Sequence, residues 1–135
     1  MADPDADVAV VRTSNAALNR GDVEGMLTVY ASDATVVDHR QVAFGTFTGH
    51  DELRALYSGI ISSVSEFHAA IEILAAAGGI VVAACEATAR LGPDPAAPSI
   101  EAEYGFVATV EDGLIARLEL YDDGEGAREA SGLSR

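Results

Sequence analysis

The chain has 135 residues, 49% of them hydrophobic, and a single cysteine. That length suits one domain with one core, and the apolar share excludes a disordered chain. A net charge of −14 with eight scattered Lys and Arg argues against nucleic acid or an anionic membrane as partner, since both are bound through clustered cations.

No apolar run reaches the roughly 18 residues of a membrane helix. The N-terminus, MADPDADVAV, carries acids where a signal peptide carries bases, so a cytoplasmic location is expected. Cys85 lies in an apolar run and reads as a small buried hydrophobe. Being alone, it excludes an internal disulfide and a cysteine-based metal site.

Met1 to Pro4 read as a frayed tail. Val11, Ser14 and Leu18, flanked by Val10 and Ala17, predict a helix from about Asp5 to Asn19 with Ser14 on its buried face. Asn19-Arg20-Gly21 ends it. Asp22 then caps a second helix, Val23 to Tyr30, on which Val23, Met26, Leu27 and Tyr30 recur at helical spacing. Ser32-Asp33 breaks that helix, and Ala34 to about His39 predicts a strand with Asp38 near its end. Arg40 to Phe47 has no period and reads as a loop. Thr48 and Asp51, in capping-box spacing, open a third helix whose stripe is Leu53, Leu56, Tyr57, Ile60, Ile61 and Val64.

After Ser65 the period changes to two. Phe67 to Ala75, Ile80 to Leu91, Ser99 to Glu111 and Leu114 to Tyr121 predict four successive strands. Gly78-Gly79 and Glu111-Asp112-Gly113 suit short antiparallel turns. Tyr104 and Phe106 share a parity with Ile100, Ala102 and Ala108 and should wall a pocket or core, while Glu101, Glu103 and Glu119 face the other way. Val82, Ala84 and Thr88 share a face with Glu86 and Arg90. A face that mixed suits a partner, so a homodimer is expected. The polar, Gly-rich end from 124 to 135 reads as a flexible tail with a short helix at most, leaving a single domain at 5–123. The class is α+β: three N-terminal helices covering a curved, mostly antiparallel sheet.

The stretch AALNRGDVEGMLTVYASDATVVD, the glycine that opens TGHDELRALY, and the ending EDGLIARLELYD together resemble nuclear-transport-factor-2-like proteins. The likeness is to the branch of ketosteroid isomerases and SnoaL-like polyketide cyclases, and runs from about Val8 to Asp122. It implies a cone-shaped roll. It does not fix an activity, because that fold hosts isomerases, cyclases, epoxide hydrolases, dehydratases and binding modules. By resemblance, Asp38 stands where the isomerase keeps its general base. Tyr30 and Tyr57 look like tyrosines that some isomerases link into a hydrogen-bond network. Ser14 falls where the isomerase has its oxyanion-binding tyrosine. The second oxyanion donor, a protonated aspartate, maps near Gly105 or Phe106, and neither donates from a side chain. A steroid isomerase is therefore not expected.

The isomerases and cyclases share one step, removal of a proton next to a carbonyl. It needs a carboxylate in a dry pocket and a donor for the enolate, and burial makes the carboxylate a stronger base. Asp38 fits as base, with Tyr30 and Tyr57 as donors; the alternative is a solvated strand-end aspartate. Asp122 is the rival, continuing the parity of Leu114, Ala116, Leu118 and Leu120; the alternative is a cap or loop residue. Alternation turns His39 away from Asp38 and returns Arg40 to its side. Arg40 then either pairs with Asp38 and weakens it as a base, or binds an anionic substrate group. His39 is a general acid only if the strand bends; the alternative for both is a surface role. Arg40 with Asp38 and Asp122 is the set that epoxide hydrolysis needs, at spacing that matches poorly. His50 and His68 have no metal spacing, and neither metal nor cofactor is expected.

The expected catalytic set is thus Asp38, Tyr30, Tyr57, His39 and Asp122. Ser14, Arg40, Tyr104 and Phe106 are expected to contact the ligand, a small apolar carbonyl compound undergoing isomerisation or aldol-type cyclisation. The alternative is a non-catalytic small-molecule-binding or dimerisation module.

Overall fold

A computed structural model describes residues 3–41, 45–94 and 96–133. Asp3 caps the first helix, α1 (Pro4–Asn19), its carboxylate accepting from the Asp5 and Ala6 amides. Pro4 at the first helical position needs no donor there. The helix thus begins inside the expected tail. Gly21, at φ +71°, supplies the left-handed exit. Asp22 caps α2 (Val23–Leu27) by accepting from Gly25 N at 2.9 Å.

Helix α2 is shorter than its spacing predicts. The chain leaves it at Thr28, and Tyr30 opens strand β1 (Tyr30–Asp38). Met26, Leu27 and Tyr30 still bury one common face. Tyr30 fits a helical period and a strand period equally, and β-branched Val29, Thr35, Val36 and Val37 tip the segment to strand. Val29 O, freed from the helix, accepts from Ile115 N at 2.8 Å.

The segment expected as a loop contains β2 (Thr46–Thr48), which pairs antiparallel with β1 through Thr35–Thr48, Val36–Phe47 and Val37–Thr46. Residues 42–44 of that segment lie outside the described residues. Helix α3 (His50–Ser63) starts from Gly49 without a side-chain cap. The predicted capping box is replaced: Thr48 Oγ1 turns to Thr35, and the Thr48 amide donates to Glu52 at 2.8 Å.

Strands β3 (Ser65–Ala77), β4 (Ile80–Arg90), β5 (Ser99–Glu111) and β6 (Leu114–Tyr121) follow. The single six-stranded sheet has the order β2-β1-β6-β5-β4-β3, and only β1–β6 is parallel. The architecture is the expected α+β one, a curved, mostly antiparallel sheet with α1, α2 and α3 on its inner face.

Two features of the sheet depart from strict alternation or from the expected chain end. Thr109 pairs with Arg117 but Val110 pairs with Ile115, so Ala116 is an extra residue in β6. This bulge puts Ile115, not Leu114 or Ala116, on the inner face with Leu118. The second feature is α4 (Gly124–Ser131), where a flexible tail was expected. Asp123 caps it, and its Ala127 is wholly buried against Ala75, Val82 and Val107 on the outer face. Gly105 in β5 permits this close approach: a Cβ there would run into Asp123 O and lie 2.8 Å from Gly124 Cα. The apolar centre of the outer face, read from sequence as a partner surface, is therefore covered by the chain's own last helix. No helix among the described residues is long and apolar enough to cross a membrane.

Candidate functional site

On the inner face the helices do not fill the sheet's concavity. A cavity of about 220 Å³ remains. One wall is β5, whose alternate residues Ile100, Ala102, Tyr104, Phe106 and Ala108 all face it. Helix α3 supplies Leu56, Tyr57 and Ile60, and α1 supplies Val11, Ser14, Asn15 and Leu18. Past the bulge, β6 adds Leu118 and Leu120. Ile100, at 41% exposure, stands at the solvent side.

Tyr30 and Tyr57 meet at this cavity. Their hydroxyls are 3.4 Å apart, and their rings are tilted at 52°. Burial raises the Tyr30 pKa, against hydrogen bonds with Tyr57 and Ser14 that pull it down. Burial, then the neighbouring Tyr30, holds Tyr57 well above the ordinary value. Both therefore stay protonated as hydrogen-bond donors over the physiological range. Tyr104, also raised by burial and by Cys85 beside it, completes the aromatic wall. The structure thus brings together six of the expected residues: Ser14, Tyr30, Arg40, Tyr57, Tyr104 and Phe106.

Asp38 is placed differently from what a general base needs. Its side chain is 0% exposed and grips Arg40 with both oxygens. Arg40 Nε donates to Oδ1 at 2.9 Å and Nη2 to Oδ2 at 2.8 Å, and the Arg40 amide adds a third bond at 3.1 Å. The hydrogen bond to Asp38 raises the Arg40 pKa, outweighing burial. Arg40 also lies over the Tyr104 ring, 5.3 Å from its centroid. Arg40 reaches the cavity wall; Asp38 sits behind it and is not part of the lining. Alternation along β1 correctly put the two side chains on one side, and the pairing alternative is the one realised.

His39 points the other way. Its ring stacks on Tyr121 at 4.9 Å, 41% of its side chain is exposed, and Nε2 lies 3.6 Å from Glu119. A general acid at the cavity is not what it provides. Asp122 also lies outside: it is exposed and accepts from Gln41 N at 3.2 Å, because β6 ends at Tyr121 before its parity can carry Asp122 inward. The Asp122 charge is nevertheless felt at Arg40, after those of Asp38 and Tyr104.

Asn15 is a lining residue that the sequence reading passed over. Its Nδ2 donates to Ala69 O at 3.0 Å, and Asn19, one turn later, donates to the same oxygen at 2.9 Å and accepts from Ala69 N at 2.7 Å. The available signal was the i, i+4 pair of amides on an otherwise apolar helix face. Among the described residues that line the cavity there is no carboxylate, imidazole or thiol; the one charged group is Arg40. Among the described residues no cluster of His, Cys, Asp or Glu is arranged to hold a metal ion.

A curved sheet closed by helices around an apolar cavity defines the class of nuclear-transport-factor-2-like rolls. Comparison with known proteins gives the family: residues 11–118 match the SnoaL-like domain, and the chain belongs to that family. Similar solved structures include an NTF2-like protein from Burkholderia xenovorans (26% identity, TM-score 0.70, covering 95% of this chain and 97% of that one). A proposed polyketide cyclase from Xanthomonas campestris is similar at 21% identity and TM-score 0.75, over 91% and 94% of the two chains. A protein of ketosteroid isomerase-like fold from Catenulispora acidiphila, solved with trimethylamine, is similar at 19% identity and TM-score 0.72, over 92% of each chain. No curated protein matches.

Proposed function

We propose that this protein binds a small, uncharged, mostly apolar carbonyl compound in the inner cavity, and that Asp38 serves as the counterion of Arg40 and not as a base. The observation that carries this reading is the make-up of the lining. Apolar groups dominate it, hydroxyl donors are present at Tyr30 and Tyr57, and no described lining residue has a group that takes up a proton at neutral pH. Arg40 adds no net charge, since Asp38 is bound to it. An anionic ligand would meet the Asp38 carboxylate behind the guanidinium. A neutral carbonyl oxygen accepts from a tyrosine or from the guanidinium without that penalty.

The size of the cavity, about 220 Å³, falls below the roughly 300–1,000 Å³ of sites for drug-sized ligands. A compound of one or two rings fits it better than a tetracyclic one. SnoaL-like relatives named for cyclase or isomerase folds, and the trimethylamine complex, support a small-molecule role of this general kind.

A second reading has its own support. Asp38 is fully buried on the inner face, directly behind a side chain that lines the cavity. A ligand that displaced Arg40 would uncover a desolvated carboxylate suited to proton abstraction. One experiment separates the two. 1-Tetralone, a neutral two-ring ketone, is incubated in D2O with wild type and with Asp38→Asn, and exchange at its α-carbon is followed by NMR. The binding reading predicts saturable line broadening with no acceleration of exchange by either protein. Acceleration by wild type that Asp38→Asn lacks would replace it with the catalytic reading.

A further inference from the structure

Every polar side chain lining the cavity except one can donate a hydrogen bond towards it or is ambivalent. Arg40 only donates, and the hydroxyls of Ser14, Tyr30, Tyr57 and Tyr104 rotate to suit. Asn15 is the exception, because its orientation is fixed. The bond from Nδ2 to Ala69 O turns the amide nitrogen towards β3. A flip would set Oδ1 against that carbonyl oxygen, so the two ends are not interchangeable. Asn19 bonds the same residue of β3 with a donor and an acceptor, one turn away from the Asn15 amide.

The other end of that amide is uncommitted. Among the described residues nothing donates to Asn15 Oδ1. Nor is this oxygen sealed inside the protein: the one fully buried side-chain polar atom without a partner, among the described residues, is Arg128 Nε. Asn15 is half-buried, and it contributes to the cavity wall between Ser14 and Leu18.

We infer that Asn15 is a specificity-determining residue whose Oδ1 accepts a hydrogen bond from a hydroxyl of the ligand. Resting on the binding reading above, this narrows the ligand class to a hydroxylated one- or two-ring carbonyl compound, a hydroxy-ketone. Its hydroxyl faces α1, and its carbonyl faces the tyrosine pair or Arg40. A ligand without the hydroxyl would cover the Asn15 oxygen without giving it a partner. Sites built around a buried acceptor discriminate strongly on that account.

The test uses the full chain and two neutral probes of nearly equal size, 2-naphthol and 2-methoxynaphthalene, with affinities measured by NMR titration. Wild type should prefer 2-naphthol by about tenfold or more. Asn15→Leu should bring the two affinities within about twofold of each other, mainly by weakening 2-naphthol. Asn19→Leu is the control for the structural role of the Ala69 anchor, since it removes that anchor and leaves the Asn15 oxygen in the wall; it should keep the preference. Equal binding of both probes by wild type would overturn the inference while leaving the cavity a binding site, and this arm needs no variant to fold. A preference retained in Asn15→Leu would overturn it equally. Failure of both probes to bind would remove the inference together with the binding reading beneath it.

Discussion

The two faces of the sheet both carry apolar side chains and treat them in opposite ways. On the outer face Ala75, Val82 and Val107 are covered by α4, with Ala127 wholly buried and Gly105 bare so that the helix entry can sit close. On the inner face Tyr104, Phe106 and Ala108, neighbours of Val107 on the same strand, border open space. Interiors are normally packed to the density of organic crystals, so the unfilled side is the one that calls for an occupant. The difference shows that the vacancy is not a shortage of helix: the chain spends its last helix closing the outer face and leaves the inner one open.

The contrast can be broken most drastically by alkali. All four tyrosines have raised pKa values. Tyr30, Tyr57 and Tyr104 owe it first to inner-face burial, whereas Tyr121, on the outer side, is pushed up to about 12 by burial and by its hydrogen bond to Glu119. An unfolded tyrosine ionises near about 10. Above that pH the folded chain retains protons that the unfolded chain loses, so stability is fully present below about pH 10 and falls as pH rises beyond it. Phenolate absorbance should therefore appear together with loss of circular dichroism, in one cooperative step. Gradual ionisation centred near pH 10 with the fold intact would mean that the inner tyrosines are not sealed.

Next in size is Arg40→Ala. It strands the buried Asp38 carboxylate and should cost about 3 kcal/mol in a urea melt, as breaking one side of a buried pair does. Glu86→Gln on the open part of the outer face should change stability by less than about 0.5 kcal/mol. Gly105→Ala sharpens the comparison from the other side. Its methyl group would press on Asp123 and Gly124, for a loss of about 2 kcal/mol, while 2-naphthol binding at the inner cavity stays unchanged. A smaller effect than that of Gly105→Ala is expected for Tyr57→Phe. Loss of one hydroxyl from the pair should cost about 1 kcal/mol of stability and weaken 1-tetralone binding severalfold, measured by the same NMR titration.

Much of this architecture can be read from periodicity. The stripe on α3 and the alternation along β5 each have a partner surface that rewards one period alone, so Tyr57, Tyr104 and Phe106 reach the cavity as expected. Tyr30 reached it from the wrong element, because its spacing from Met26 and Leu27 suits a helix and its neighbours suit a strand. Strand β2 has three residues and no period of its own; it exists by pairing with β1. The bulge at Ala116 is defined by the strand opposite and leaves no mark in β6 itself. Helix α4 has one fully buried residue, Ala127, too little to register as an apolar face. At the site, alternation foretold that Arg40 and Asp38 share a side, but which of the two meets the cavity depends on how the long arginine lies across Tyr104. The sequence does not encode that separately from the fold.

The account stands or falls on the inner cavity being the place where a small neutral ligand settles. Chemical-shift mapping of the labelled protein with 2-naphthol tests this most directly. The account predicts saturable shifts at Asn15, Tyr57, Phe106 and Leu118, and none at Val82, Val107 and Ala127 on the packed face. Shifts confined to the outer face, or none at any of the inner residues, would contradict it.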